Sequence, residues 1–426
     1  MDDSDEVARA RAAEAIVQAR KAGQRVVIDA GSRQYRLFVV AGEHSGDLIG
    51  GKLMAELNRR LEGRVRYLGV GGEDMERQGL VSQFPLADVA VMGPLSILPR
   101  LPRLVRRVYR TVAAAVAAQP DAVIIIDSPE FTHPIAKRIR KRLPHIPIID
   151  YVSPTVWAWR PGRARKMARY VDHVLALLPF EPEAHARLGG PPCTYVGHPM
   201  VERQAWLDTL DTQGFASRLG LGRDGRQVLV VLPGSRASEV SRLMDPFGGA
   251  VRHLVERGQQ LDVIIPAVRS VRALIEAKLA GWPVVPHLVE GEEDKFRAFK
   301  LAHCALAASG TVTLELAMAG TPMVVAYRVD GLAANLRFLV KVPSVVLANL
   351  VLGEKAFPEL LQEDCRPERL ADALELLLKD TPERSAQLQA LARIPERMWQ
   401  AGPSPSAAAA DVVIAQLDAV RALRPR

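Results

Sequence analysis

Four consecutive apolar residues, Leu37-Phe38-Val39-Val40, run into the polar stretch Ala41-Gly42-Glu43-His44-Ser45-Gly46-Asp47, after which apolar positions recur at helical spacing from Leu48 to about Leu61. A short unbroken apolar run, a glycine-containing loop and then a 3.6-residue period predict a buried strand, a tight turn and a helix. Runs of the same kind recur at residues 67–70, 122–126, 146–151, 174–178 and 194–196, with helical stretches between most of them. Strands buried on both faces read as continuous apolar runs, so the pattern implies a parallel sheet covered by helices on each side. The pattern then restarts. A strand is predicted at 227–232, a turn at Pro233-Gly234-Ser235-Arg236 and a helix from near Glu239; runs at 263–265, 284–285, 305–308 and 323–326 continue the alternation. This gives two α/β units in tandem, with the switch between residues 197 and 212, where Gly197-His198-Pro199 breaks the strand pattern. A Gly-Pro-Ser-Pro break at 402–405 precedes a last helix expected from Ala407 to about Leu423, and residues 1–35 read as an extension with a polar helix near 8–21. The expected division is 1–35, 36–200, 201–400 and 401–426, with the last helix packing back on the first unit.

Composition narrows the classes. A 426-residue chain with 48% hydrophobic and 24% charged residues is globular and long enough to bury two cores. The three cysteines lie far apart in sequence, and no Cys/His spacing suggests zinc or a disulfide framework; a reducing compartment fits. The net charge of +8 favours an anionic partner: phosphate groups, an acidic membrane surface or nucleic acid. No zinc-finger, helix-turn-helix or RNP pattern supports nucleic acid. The acidic N-terminus is not a signal peptide, and no apolar run reaches the ~18 residues needed to span a bilayer. A cytoplasmic protein able to sit on a membrane is expected.

Candidate chemistry sits in the loops after the strands. Gly42, Glu43, Ser45 and Gly46 open a helix after a strand, where backbone N–H groups attract anions; the same loop fits a plain βα turn capped by Ser45 or Asp47. Asp127 ends the run Val123-Ile124-Ile125-Ile126, the place for a general base, though an aspartate there also orders its own turn. Gly234, Ser235 and Arg236 suit a diphosphate, with a forked guanidinium contact to a leaving nucleotide. Ser309, Gly310 and Thr311 repeat that arrangement, and Glu315, one turn on, is placed to take ribose hydroxyls or to complement the helix dipole. Trp157 and Trp159, two of the five tryptophans, share one loop, as a wall for sugar or acyl groups or as plugs between layers. Leu98, Leu101, Leu104, Val105 and Val108 interleave with Arg100, Arg103, Arg106, Arg107 and Arg110, which fits a helix lying on an anionic membrane, a helix packed on its own sheet, or a receiver of acyl chains. Pro99 and Pro102 confine the regular helix to the residues beyond them.

Taken together, these segments resemble the lipid-A-disaccharide synthase family. The matching stretches are AGEHSGD (41–47), GVGG (69–72), VMG (91–93), IIDSPEF (125–131), YVSPTVWAWR (151–160), VDHVLALLPFEP (171–182), YVGHPM (195–200), LPGSRASEV (232–240), ASGTVTLELAMAGTPMVVAYRV (308–329), LANL (347–350) and ELLQEDC (359–365). The resemblance implies a GT-B fold: two facing Rossmann-like domains with parallel sheets, the first on the acceptor and lipid side, the second holding the UDP-sugar. It implies an inverting transfer from UDP-2,3-diacylglucosamine to 2,3-diacylglucosamine 1-phosphate, giving the β-1,6-linked lipid A disaccharide 1-phosphate and UDP. Asp127 would be the general base and Arg236 the catalytic diphosphate ligand. Gly234, Ser235, Ser309, Gly310, Thr311 and Glu315 would bind the donor, and Gly42, Glu43, Ser45, Gly46, Trp157 and Trp159 the acceptor. No metal or cofactor is expected: the one Asp-x-Asp spelling, Asp3-Ser4-Asp5, lies in the extension. The expected setting is cytoplasmic, peripheral to an anionic inner-membrane surface, with a homodimer compatible. The rivals are another GT-B enzyme such as a UDP-sugar epimerase, a nicotinamide oxidoreductase, for which no dinucleotide fingerprint is present, and a non-catalytic nucleotide- or lipid-binding protein.

Overall fold

The computed structural model describes residues 34–89, 101–329, 342–399 and 402–422. The expected helix near 8–21, the VMG segment, Leu98, Pro99 and Arg100, and the end of the last helix at Leu423 lie outside them. Two compact units divide the chain, one within Met1–Pro199 and Ala401–Arg426, the other Met200–Gln400.

The first unit is built on seven parallel strands: β1 (Tyr35–Ala41), β2 (Val65–Val70), β3 (Val81–Ser82), β4 (Ala122–Ile126), β5 (Ile148–Tyr151), β6 (His173–Ala176) and β7 (Cys193–Tyr195). Their order is β3-β2-β1-β4-β5-β6-β7. Along β1 the side chains alternate between two buried faces. Leu37, Val39 and Ala41 pack with Leu53, Met54 and Leu57 of the helix His44–Arg60 and with Ala409, Ala410 and Val413 of the helix Pro405–Ala422. Phe38 and Val40 pack on the other side with Val108, Val112, Ile135 and Ile139 of the helices Leu101–Ala118 and Pro129–Arg142. Burial on both faces is why the strand sequence is apolar without alternation. Arg60 and Asp411 pair between the first and last of these helices.

The second unit has six parallel strands: β8 (Gln227–Leu232), β9 (Leu261–Pro266), β10 (His287–Val289), β11 (Cys304–Ala308), β12 (Met323–Tyr327) and β13 (Glu359–Leu361), in the order β10-β9-β8-β11-β12-β13. Leu229 and Val231 pack against Leu243, Phe247 and Leu370 from the helices Ala237–Glu256 and Pro367–Leu378. One predicted strand is corrected. Residues 284–285 are not a strand: Val285 is 92% exposed, and the pairing with β9 begins at His287. A two-residue apolar pair is too short for its period to mean anything. The edge strands β3 and β13 were not predicted; short edges of mixed polarity carry little signal.

In each sheet the strand order reverses once, between β1 and β4 and between β8 and β11. The loops leaving those strands open a crevice at the carboxyl ends of the sheet, where α/β proteins bind ligands. The four candidate loops, after Ala41, Ile126, Leu232 and Ala308, are the four that border these two points.

Candidate functional site

In the first unit, Ala41 stands in register with Ile126, so the loops leaving the two strands meet at once. Asp127 and Ser128 both adopt left-handed backbone, φ +54° and +43°, a conformation that costs energy and concentrates at functional turns. The turn aims the Asp127 carboxylate back at the first loop: Ser45 Oγ donates to Oδ2 at 3.0 Å, while the Ser128 N–H donates to Oδ1 at 2.7 Å. Gly42 is needed for this approach, since a Cβ there would lie 2.4 Å from Ser128 Cβ. Ser128 Oγ is buried with no hydrogen-bond partner among the described residues. Gly46 is buried, and Glu43, half-buried, begins the helix His44–Arg60 without capping it through its side chain.

Asp47 does not cap that helix either. Its buried carboxylate accepts the N–H groups of Gly72, at 2.7 Å, and of Asp74 and Met75, at 3.1 and 3.2 Å. It ties the GVGG loop to the AGEHSGD loop, a structural role for a residue inside a site motif.

The two tryptophans part company. Trp157 donates through Nε1 to Glu181 at 3.2 Å and stands edge-on to Phe180 with ring centres 5.1 Å apart. Glu181 also accepts the Leu177 and Leu178 N–H groups at 3.1 and 3.0 Å. Burial pushes its carboxyl up to about 7, against the pull of those donors. Trp157 is thus anchored, whereas Trp159 is 39% exposed and lies under the Arg160 guanidinium. A few residues on, Arg163 pairs with Glu130 at 2.7 Å, in the first turn after Asp127.

In the second unit, Gly234 has φ +106°, and a Cβ there would lie 2.4 Å from Glu239 Oε2. Glu239, only 6% exposed, folds back over the start of its helix. Its Oε2 accepts the Ser235 and Arg236 N–H groups at 3.1 and 3.2 Å; its Oε1 accepts Arg236 Nη1 at 2.9 Å and the Tyr327 hydroxyl at 3.2 Å. The backbone donors expected to receive an anion are therefore occupied by the protein's own carboxylate. What remains for a ligand is the Arg236 guanidinium, with 61% of its side chain exposed and one N–H engaged, together with the Ser235 side chain. Glu239 lies three residues after the residue that begins the helix, the capping-box spacing, and that was the signal to be read.

At the neighbouring point, Ser309 Oγ donates to the Val345 carbonyl at 2.7 Å, so its proton is spent and the hydroxyl can only accept. Thr311 is exposed beside Gly310. Glu315 is held by Lys295 Nζ at 2.9 Å on Oε2, which leaves Oε1 for a diol. Lys295 carries no signal in sequence, since it comes from the separate helix Glu292–Leu301. Among the described residues no group of three His, Cys, Asp or Glu side chains could hold a metal ion, and no helix is long and apolar enough to cross a membrane.

Two parallel-sheet Rossmann-like units define a protein of the GT-B class. Solved structures agree on that fold: the UDP-GlcNAc 2-epimerase from Neisseria meningitidis bound to UDP-GlcNAc has a TM-score of 0.61 at 13% identity, covering 89% of this chain and 98% of its own. CalG4, the calicheamicin glycosyltransferase, has a TM-score of 0.53 at 17% identity, covering 91% and 99%. A family model described as lipid-A-disaccharide synthetase matches residues 37–402. The lipid-A-disaccharide synthase of Nitrobacter hamburgensis is 49% identical over 91% of this chain and 96% of its own, and that of Rhodopseudomonas palustris strain HaA2 is 50% identical over 89% and 95%. The chain belongs to the lipid-A-disaccharide synthetase family, and with it to the glycosyltransferases.

Proposed function

We propose that the protein transfers 2,3-diacylglucosamine from its UDP derivative to the 6-hydroxyl of 2,3-diacylglucosamine 1-phosphate, inverting the anomeric centre and releasing UDP. The observation that carries the reading is Asp127, placed at the switch point of the first sheet with its carboxylate oriented by Ser45 and Ser128. A carboxylate so fixed suits a general base that takes the proton of an attacking alcohol. Arg236 meets the diphosphate and stabilises the charge that grows on it as the glycosidic bond breaks. Glu315 takes the ribose hydroxyls through the oxygen that Lys295 leaves open. Ser309, Gly310 and Thr311 line the donor side; Gly42, Glu43, Ser45, Gly46, Trp157 and Trp159 line the acceptor side.

Both substrates carry acyl chains, and the helix Leu101–Ala118 supplies a way to meet them at a membrane surface. Leu101, Val105 and Tyr109, one turn apart, are 47%, 45% and 51% exposed, with Arg103, Arg106 and Arg110 exposed beside them. Val108 and Val112 face the sheet instead, and Arg107 is withdrawn from the basic face by Asp88 and the Phe84 ring. An apolar stripe flanked by arginines fits peripheral docking on an anionic leaflet, the cytoplasmic face of the inner membrane. The deciding experiment incubates the protein with both acylated sugars and tracks products by mass spectrometry. Disaccharide 1-phosphate and UDP in equal amounts are expected. UDP-sugar epimerised, or bound and returned unchanged, in place of disaccharide would refute the reading.

A further inference from the structure

Among the described residues near either switch point, Glu239 is a carboxylate engaged by four donors, and the reaction as proposed gives it no part. It cannot itself meet a diphosphate. It is buried, its charge has the wrong sign, and four donors already surround it: two backbone N–H groups, the Arg236 guanidinium and the Tyr327 hydroxyl. Arg236 by contrast is mostly exposed, and a free arginine side chain has many rotamers to lose before it can grip a ligand. We infer that Glu239, braced from β12 by Tyr327, is the positioning residue that holds the Arg236 guanidinium ready for the donor's diphosphate, a role that rests on the proposed diphosphate contact of Arg236.

The carboxylate does two jobs with its two oxygens. Oε2 closes the turn at 233–236 by taking the two N–H groups, and it comes so near the chain that only glycine fits at 234. Oε1 points at Arg236 Nη1 and anchors the guanidinium by one N–H, leaving its other donors for phosphate oxygens. Tyr327 donates to the same oxygen and so fixes its direction.

This division makes Glu239→Gln an informative change. The remaining carbonyl oxygen keeps the two backbone N–H groups, while the new amide turns donors toward Tyr327, whose hydroxyl can rotate to accept, and toward Arg236, which has no acceptor to offer and is released. The test is a double-mutant cycle with Arg236→Ala, read by calorimetric binding of UDP and by kcat/KM for the UDP-linked donor. Glu239→Gln alone should weaken UDP about tenfold and lower donor kcat/KM about as much, with the acceptor's KM unmoved. In the Arg236→Ala background the same change should shift either quantity less than about twofold, because the group it acts through is gone. Tyr327→Phe, which leaves the helix start alone, should move donor KM in the same direction by about two- to threefold while keeping a single cooperative unfolding transition, and it carries the cycle if Glu239→Gln fails to fold. Additive effects, a parallel rise in acceptor KM, or tighter UDP binding by Glu239→Gln would overturn the assignment. Unchanged UDP binding by Arg236→Ala alone would instead sink the diphosphate reading itself, so the two failures are distinguishable.

Discussion

Replacing Asp127 with asparagine separates catalysis from structure at the proposed base. The two hydrogen bonds that orient the carboxylate survive the change. The asparagine carbonyl still accepts the Ser128 N–H, now 2.7 Å from Oδ1, and Ser45, whose hydroxyl both donates and accepts, can turn to receive the amide at the 3.0 Å separation it already has. The backbone is also content, since asparagine tolerates the left-handed region as well as aspartate does and φ here is +54°. Stability should therefore stay within about 0.5 kcal/mol of the parent. An amide has no useful basicity, so the loss falls on the proton transfer: about 100-fold or more in kcat, or ~2.7 kcal/mol and upward in the barrier. Asp127→Ala should lose at least as much turnover, but it also strands Ser45 and the Ser128 N–H and puts a Cβ without polar compensation at positive φ, costing about 1 kcal/mol of stability. The assay is disaccharide formation at saturating substrates, beside urea unfolding and UDP calorimetry on the same samples. A folded Asp127→Asn protein that binds UDP and turns over within about threefold of the parent would remove Asp127 from the role of base.

Single contacts elsewhere have consequences of their own. Gly42→Ala should cost about 1–3 kcal/mol in urea unfolding, because its Cβ would fall 2.4 Å from that of Ser128, and Ser128→Gly in the same chain should recover at least half; equal stability of Gly42→Ala and parent would show that the loops do not meet so closely. His173, buried against Thr194 at 2.8 Å and Gln416 at 3.4 Å, is pulled down to about 4 by burial, so it is neutral when folded. A depressed histidine stabilises the fold above its ordinary value near 6.5, and that contribution is lost as pH falls through about 4, at most ~3 kcal/mol. Glu181, raised to about 7, acts oppositely, its contribution growing as pH falls from about 7 toward 4.5. Glu181 is present in parent and variant alike, so the difference in unfolding midpoint between them isolates the histidine: His173→Gln should flatten the acid loss, and parallel pH profiles would contradict the assignment. Finally, serine at Leu101, Val105 and Tyr109 should reduce binding to phosphatidylglycerol vesicles at least tenfold with turnover of detergent-dispersed substrates retained; unaltered vesicle binding would point to another docking face.

The alternation of apolar runs and helical periods identified both units from sequence, because strands buried on two faces and helices buried on one obey different short-range periods. The loops after Ala41, Ile126, Leu232 and Ala308 were legible for the same reason: each is a polar break immediately after a strong strand. What sequence could not show is which loops adjoin. β2 and β3 come between β1 and β4 along the chain, yet β1 and β4 are neighbours in the sheet, and only that pairing brings Ser45 to Asp127. Nor does position reveal direction. Asp47 sits inside the same motif as Ser45 but turns inward to hold the GVGG loop, and Glu239 lies in a recognisable motif but closes on its own helix start and captures Arg236. Local patterning determines elements because their hydrogen bonds run between residues near in sequence; the partners of a buried charge are set by packing between elements far apart in the chain, and that is decided only once the sheet has formed.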